Sequence, residues 1–443
     1  MVEKIRAAVS RHREAILEAE RYIWKNPETG YREVKTTAYL AEKFEALGYR
    51  LTMADGIPGF YTEVDTGREG PTLLILGELD SVICPTHPEA DPETGAVHSC
   101  GHNVECAALL GIAAALREPG MTDGLSGKIR LCAVPAEELL EIGYRQGLAD
   151  EGRIRYFGGK CEFLARGYFD GVDLALLVHA GQRFWAFGGM VGCMAKSITY
   201  KGRAAHAGGA PWAGCNALYA ATAGLSAVNA IRETFREADL IRVHPIVTHG
   251  GDMVNAIPER ATLESYVRGK TFAAIVEANR KVNRALTGGA LSLGATIEIA
   301  DIPGYSPLVN DKGLLDTVRE AYRMLFPGEE MAYTQDFSTG SSDLGDLSAV
   351  MPVVHPYVAA TTGTMHGADF YITNPEAPVT SAEWQLVMVR LLLGDGAARA
   401  RRIVAEYEPP FASKEEFLAY KDSLSTSGDR ILYREDGGAE ILL

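Results

Sequence analysis

The sequence predicts an α/β protein built from a mixed sheet flanked by helices and interrupted by a smaller α+β domain. Three observations predict it. Strand-sized apolar runs alternate with helical stretches through the first part of the chain. Polar residues recur at the C-terminal ends of those strands, namely Asp80, Glu137-Glu138 and His179. The middle of the chain follows the order β-α-β-β-α-β, a split unit able to fold alone.

The elements run as follows. Residues 3–23 place Ile5, Ala8, Val9, Ile16 and Ile23 at helical spacing among charges, and Asn26-Pro27-Glu28-Thr29-Gly30 stops that helix. A second helix spans about 34–47 and ends at Gly48. Strands are expected at 59–65 and 72–79; the second is apolar almost throughout, as a strand covered on both faces would be. A polar loop, 84–98, leads to Cys100-Gly101-His102 and a small-residue helix over 103–117. Strand 128–134 ends at Pro135-Ala136-Glu137-Glu138, a helix at 159–167 follows, and strand 172–178 delivers His179. Strand 194–201, helix 213–234, strands 241–249 and 260–268, helix 271–288 and strand 294–301 make the split unit. A helix at 311–325, the loop Gly340-Ser341-Ser342-Asp343, a strand near 350–358, His366 and a helix at 379–393 complete the frame. The economical layout is a discontinuous domain, 1–192 with 305–443, carrying an inserted domain at 193–304. The charged stretch from Val404 is expected to be peripheral.

At 443 residues the chain has ample length for two cores. A formal charge of -15 disfavours nucleic acid and anionic membranes as partners. The N-terminus lacks the apolar core of a signal peptide, and the apolar runs are too short to span a membrane. Seven scattered cysteines, an odd number, point to reduced thiols in the cytoplasm.

Cys100-Gly101-His102 alone is a weak signal, since a buried thiol beside a capping histidine is common. The set is stronger. Cys100, His102, Glu138, His179 and His366 offer sulfur, nitrogen and oxygen donors suited to Zn²⁺ or a similar ion. Five donors exceed what one tetrahedral ion with an open position needs, so two divalent ions sharing a water fit better. Glu137, adjacent to Glu138, is then placed to act as general base, or to serve as a supporting partner of the ligands. Asp80 is read as the orienter of a metal-binding histidine, with a strand-end cap as its plain alternative.

At this point the chain resembles the aminoacylase/carboxypeptidase family of binuclear metallopeptidases, in its amidohydrolase branch. The motifs that carry the resemblance are Asn26-Pro27-Glu28-Thr29-Gly30-Tyr31, Gly77-Glu78-Leu79-Asp80, His98-Ser99-Cys100-Gly101-His102-Asn103 and Pro135-Ala136-Glu137-Glu138. They continue with Lys201-Gly202-Arg203-Ala204-Ala205-His206-Ala207-Gly208, Asn255-Ala256-Ile257-Pro258 and His366-Gly367. The Cys-Gly-His-Asn form and the loop 340–346 are most similar to the group holding the aminobenzoyl-glutamate hydrolases and β-alanyl-lysine dipeptidases. The resemblance implies a zinc-peptidase-like catalytic domain and a binuclear site at the five donors, with Glu137 as acid/base. Zn²⁺ is the leading ion, with Mn²⁺ or Co²⁺ as alternatives. It further implies that the inserted domain is a lid through which the chain forms a homodimer. His206 would then stabilise an oxyanion, Asn255 would touch substrate, and Arg268 would grip a substrate carboxylate. The expected activity is hydrolysis of N-acyl-amino acids or aminobenzoyl-glutamate-like amides, with short β-alanyl or basic dipeptides as the alternative substrates. A non-catalytic metal-binding scaffold is the competing class.

The chain departs from the family pattern in places. Trp24, Lys25 and Asn26 stand where a histidine is common, and Asn103-Val104 follow His102 where Asp-Gly-His is commoner after Cys-Gly. The stretch 143–157, with Arg145, Arg153 and Arg155, is expected to be an inserted loop. It would either shape the pocket toward an anionic group or stand as a solvated excursion.

Overall fold

The computed structural model describes residues 1–442. The chain divides into two compact units. The first holds Met1–Gly189, Leu308–Ser338 and Ser342–Lys414; the second holds Met190–Pro307, Thr339–Ser341 and the chain from Glu415 on.

In the first unit a six-stranded sheet runs in the spatial order Thr52–Met53, Phe60–Asp65, Lys128–Val134, Thr72–Glu78, Leu174–Leu176, Val353–Val354. The first two pairings are antiparallel and the other three parallel, so the sheet is mixed. Every residue of Thr72–Glu78 is buried, because this strand sits inside the sheet with both faces covered. Against it lies the helix His102–Leu116, all of whose residues are buried. Its Ala, Leu, Ile and Gly content gives an apolar surface all round, which only a helix enclosed on every side can use. Helices Arg13–Trp24 and Ala377–Leu393 enclose it.

The expected single helix over 3–23 is two helices, Val2–Ser10 and Arg13–Trp24. His12, at φ −108°, leaves the helical region, and its ring and Arg11 both reach Glu118. The strand expected near 350–358 is likewise split into Val353–Val354 and Tyr357–Ala359, because Pro356 lies between them and lacks a donor. The second piece pairs in parallel with His179–Gly181, so His179 opens a strand of its own.

The second unit has its own antiparallel six-stranded sheet, with Gly192–Lys201 between Arg260–Gly269 and Thr296–Pro303. Burial alternates along the last two, marking one covered face. The helices Ala217–Ala230 and Phe272–Ser292 pack together within this unit, whose core gathers Ile198, Tyr200, Leu263, Val282 and Ile299. Asn216 and Thr271 cap them through their side-chain oxygens. The expected peripheral tail joins this unit instead. Thr426–Asp429 pairs with the edge strand Thr296–Pro303, and Ile431 enters the core, so the edge amides gain partners. No helix among the described residues is long and apolar enough to cross a membrane.

Candidate metal centre

The candidate site begins at a turn. Gly101 takes φ 95° and starts the helix at His102; a Cβ there would lie 2.6 Å from the Ala180 Cβ. Glycine therefore lets the Cys100–His102 backbone close onto the strand carrying His179. The thiol of Cys100 lies 3.4 Å from His179 Nε2. Donor atoms of Cys100, His102 and His179 lie within 4.8 Å of one another, and so do those of Cys100, Glu138 and His366. Two three-residue groups thus share the Cys100 sulfur. His366 adopts φ 61°, its amide donates to Ser99 O at 2.9 Å, and its Nε2 stands 3.0 Å from Glu138 Oε1.

The Glu137-Glu138 pair is held backbone atom by backbone atom. Ala136 sits in the left-handed region at φ 58°, and its amide donates to the buried Glu33 carboxylate at 2.7 Å. The amides of Glu137 and Glu138 donate to Asp80 Oδ1 at 3.1 Å and Oδ2 at 2.8 Å. The carbonyl of Glu138 accepts from the buried Arg145 guanidinium. Asp80 also serves the histidine, but through its main chain: its carbonyl oxygen is 2.8 Å from His102 Nδ1, while its carboxylate lies 3.4 Å away. The strand end thus orients a ring and a carboxylate pair together.

Arg145 corrects the expectation for 143–157. Part of that stretch is the helix Ile142–Asp150, and Arg145 points inward, bonding Glu138 O and Phe157 O. Its guanidinium is spent on main-chain carbonyls, so it is not offered to an anionic ligand. Arg153, half exposed, and Arg155, also exposed, fit the solvated alternative.

Electrostatics follow from burial. Burial and the nearby Glu78 and Glu138 carboxylates hold the Glu137 carboxyl well above its ordinary range. Burial opposes ionisation of Glu138 too, but the His366 ring prevails and lowers it. Burial and Glu138 push the Cys100 thiol up, yet His102 and His179 bring it to about 6. His179 rises to about 9 despite burial, through Cys100 and Glu105. His102 Nε2, Glu138 Oε1, Glu78 Oε2 and Glu105 Oε1 are buried without a hydrogen-bond partner among the described residues. Buried polar atoms left so are costly, and a cation at their focus would satisfy them. The donors present therefore fit divalent ions.

Sequence reasoning did not single out Glu78, Glu105, Lys160 or Asp343. Lys160 bonds both Glu78 and Asp343, and all three side chains are fully buried. Glu78 was visible in principle, since it precedes Asp80 by one pleat period. Glu105 follows His102 by three positions on a helix, the same-face spacing. Lys160 carried no sequence signal. His206, Asn255 and Arg268 lie in the second unit. There His206 Nδ1 accepts from the Gly208 and Gly209 amides, and Ala207 N donates to Asn255 O at 2.9 Å. Arg268 donates to His244 Nε2 and Ser341 Oγ, both at 3.1 Å.

A sheet edge that gathers thiol, imidazole and carboxylate donors beside a further carboxylate defines a metallohydrolase class of site. The chain belongs to peptidase family M20/M25/M40, whose model matches residues 74–388, and it is a hydrolase of that family. The chain is 27% identical to mouse Xaa-Arg dipeptidase over 369 residues, covering 79% of this chain and 78% of that protein. It is 28% identical to one of the subunits of Escherichia coli p-aminobenzoyl-glutamate hydrolase over 306 residues, 66% of this chain and 58% of that one. Its fold is similar to a dinuclear metal-binding peptidase of Bacillus subtilis, at TM-score 0.64 and 20% identity, covering 87% of this chain and 99% of that chain. An aminobenzoyl-glutamate utilization protein from Klebsiella pneumoniae matches with TM-score 0.64 and 20% identity, covering 86% and 97%.

Proposed function

We propose that the chain is a two-metal amide hydrolase acting on N-acyl-amino acids or aminobenzoyl-glutamate-like amides. The observation that carries this is the pair of donor groups sharing Cys100, with Glu137 next to the ligand Glu138. Cys100, His102, Glu138, His179 and His366 would hold the ions, with Zn²⁺ favoured by the thiolate and Mn²⁺ or Co²⁺ as alternatives. Divalent ions bound there supply Lewis acidity toward a carbonyl and acidify water. Glu137 takes the proton of the attacking water at its carboxylate and hands it to the leaving amine. Asp80 keeps Glu137 and Glu138 oriented through their amides. His206 steadies the oxyanion, Asn255 touches substrate, and Arg268 grips its carboxylate.

A second reading, a dipeptidase for short basic or β-alanyl dipeptides, is favoured by the similarity to Xaa-Arg dipeptidase over most of both chains. A homodimer formed through the second unit is supported by exposed Tyr219, Ile246 and Val247, the last two on the sheet-edge strand Ile246–His249. Seven cysteines, none of them in a disulfide, support a reducing, cytoplasmic setting.

The test is a hydrolysis panel of aminobenzoyl-glutamate, N-acetyl and longer N-acyl amino acids, and basic and β-alanyl dipeptides. It is run on metal-stripped protein reloaded with Zn²⁺ or Mn²⁺. Turnover of the acyl substrates supports the first reading, and turnover of dipeptides alone supports the second. No amide turnover with either ion sinks both.

A further inference from the structure

Beside the Cys100 groups lies a second convergence of donors. Glu78, His102, Glu105 and His179 each offer one atom, all within 4.8 Å of one another and all buried. Glu78 Oε2 faces His102 Nε2 at 3.1 Å, and Glu105 Oε1 faces His179 Nε2 at 3.7 Å. Donors about 2.1 Å from one ion stand roughly 3 to 4 Å apart, so these are co-ligand separations.

The other polar atom of each residue is tied down. Glu78 Oε1 takes Lys160 Nζ, and His102 Nδ1 lies 2.8 Å from the Asp80 carbonyl. Glu105 Oε2 accepts the Glu78 amide at 3.3 Å, and His179 Nδ1 lies 2.6 Å from the Ala180 carbonyl. Outer atoms held by the protein, with inner atoms turned to a common point, are how ligands of a metal are supported. The inner atoms Glu78 Oε2, His102 Nε2 and Glu105 Oε1 lack hydrogen-bond partners among the described residues. Although Glu78 Oε2 and His102 Nε2 are 3.1 Å apart, they are not aligned to bond each other.

We propose that Glu78 and Glu105, with the His102 and His179 rings, form a pocket for a hard divalent cation of the Mn²⁺ class. This pocket overlaps the thiolate pocket at Cys100. Two carboxylate oxygens and two imidazole nitrogens suit Mn²⁺, whereas the Cys100 sulfur draws a softer ion such as Zn²⁺. The shared histidines serve either ion, so the chain carries two alternative donor sets around one ring pair. The inference rests on the reading that His102 and His179 bind metal.

The test uses the full chain, stripped of metal, and the isosteric variant Glu105→Gln. Glu105→Leu serves as a second variant should the amide itself bind. Mn²⁺ and Zn²⁺ binding are measured by equilibrium dialysis, and the Co²⁺ complex by its visible absorption. The proposal expects the Mn²⁺ dissociation constant to rise about tenfold or more, Zn²⁺ to stay within about threefold, and the Co²⁺ bands to change shape and intensity. Unchanged Mn²⁺ binding overturns it. So does an equal weakening of both ions with an unaltered Co²⁺ spectrum, which would mean that Glu105 acts only through His179. His102→Ala, which removes a ring that both donor sets use, runs alongside. If that variant leaves Zn²⁺ and Mn²⁺ binding intact, the metal-centre reading itself fails, and this inference with it.

Discussion

Asp80 and Glu138 are joined by a 2.8 Å hydrogen bond from the Glu138 amide to Asp80 Oδ2, with the Glu137 amide on the other carboxylate oxygen at 3.1 Å. One strand-end carboxylate thereby sets the direction of two others. Asp80→Asn keeps the shape but turns an amide NH₂ toward one of the two donors. It is expected to cost about 1–3 kcal/mol in chemical denaturation, the cost of leaving a buried donor unmade. kcat is expected to fall more than KM rises, because Glu138 and Glu137, the proposed ligand and base, lose their aim.

Glu137→Gln is expected to lower turnover by about 10²- to 10⁴-fold while metal content is kept. The base must be unprotonated, and burial with Glu78 and Glu138 holds the Glu137 carboxyl above its ordinary range. Activity should therefore fall as pH drops through a value above the usual carboxylate range. Steady-state rates and metal analysis across pH check both points; a variant with near wild-type turnover would remove Glu137 from the mechanism.

Arg145→Ala should destabilise the fold by about 3 kcal/mol, because two buried carbonyls lose a charged donor. Arg153→Ala, at a half-exposed side chain in the same stretch, should change stability by less than about 0.5 kcal/mol. Paired urea melts compare them. Equal effects would contradict the inward placement of Arg145.

The His366–Glu138 pair should show a pH window in chelator-treated protein. Glu138 raises the His366 ring to about 12, so that ring's contribution is complete below about pH 6.5 and drains as pH rises. His366 in turn lowers Glu138 against burial, so its contribution is complete above about pH 4.5 and is lost as pH falls. The stability lost in His366→Ala should therefore be greatest between about pH 4.5 and 6.5 and smaller at pH 9. A loss independent of pH in denaturation series would rule out the pair as its source.

Much of this site was legible in the chain because strands and helices impose short periods. Asp80 and Glu137-Glu138 follow strand ends, where an α/β sheet presents polar groups, His179 opens the short strand after another, and Cys100-Gly101-His102 shows a backbone that must turn closely. Arg145 was misread because an arginine in a charged, glycine-bearing stretch looks the same in sequence whether it faces water or two carbonyls. Glu105 and Lys160 were passed over because nothing local separates a buried charge from a solvated one. Their burial depends on partners 27 and 82 residues away, Glu78 for both.

By itself the sequence determined the α/β class, the split β-α-β-β-α-β unit and a set of candidate donors, since these rest on periodicity and side-chain chemistry. Only the tertiary structure decided which atoms converge. It placed Cys100 between His179 and the Glu138–His366 pair, locked Glu137-Glu138 onto Asp80 and the preceding Ala136 amide onto Glu33, and sent the C-terminal strand to the second sheet. Each of these depends on long-range closure of the chain, where burial and unsatisfied polar atoms, rather than local propensity, set the energy.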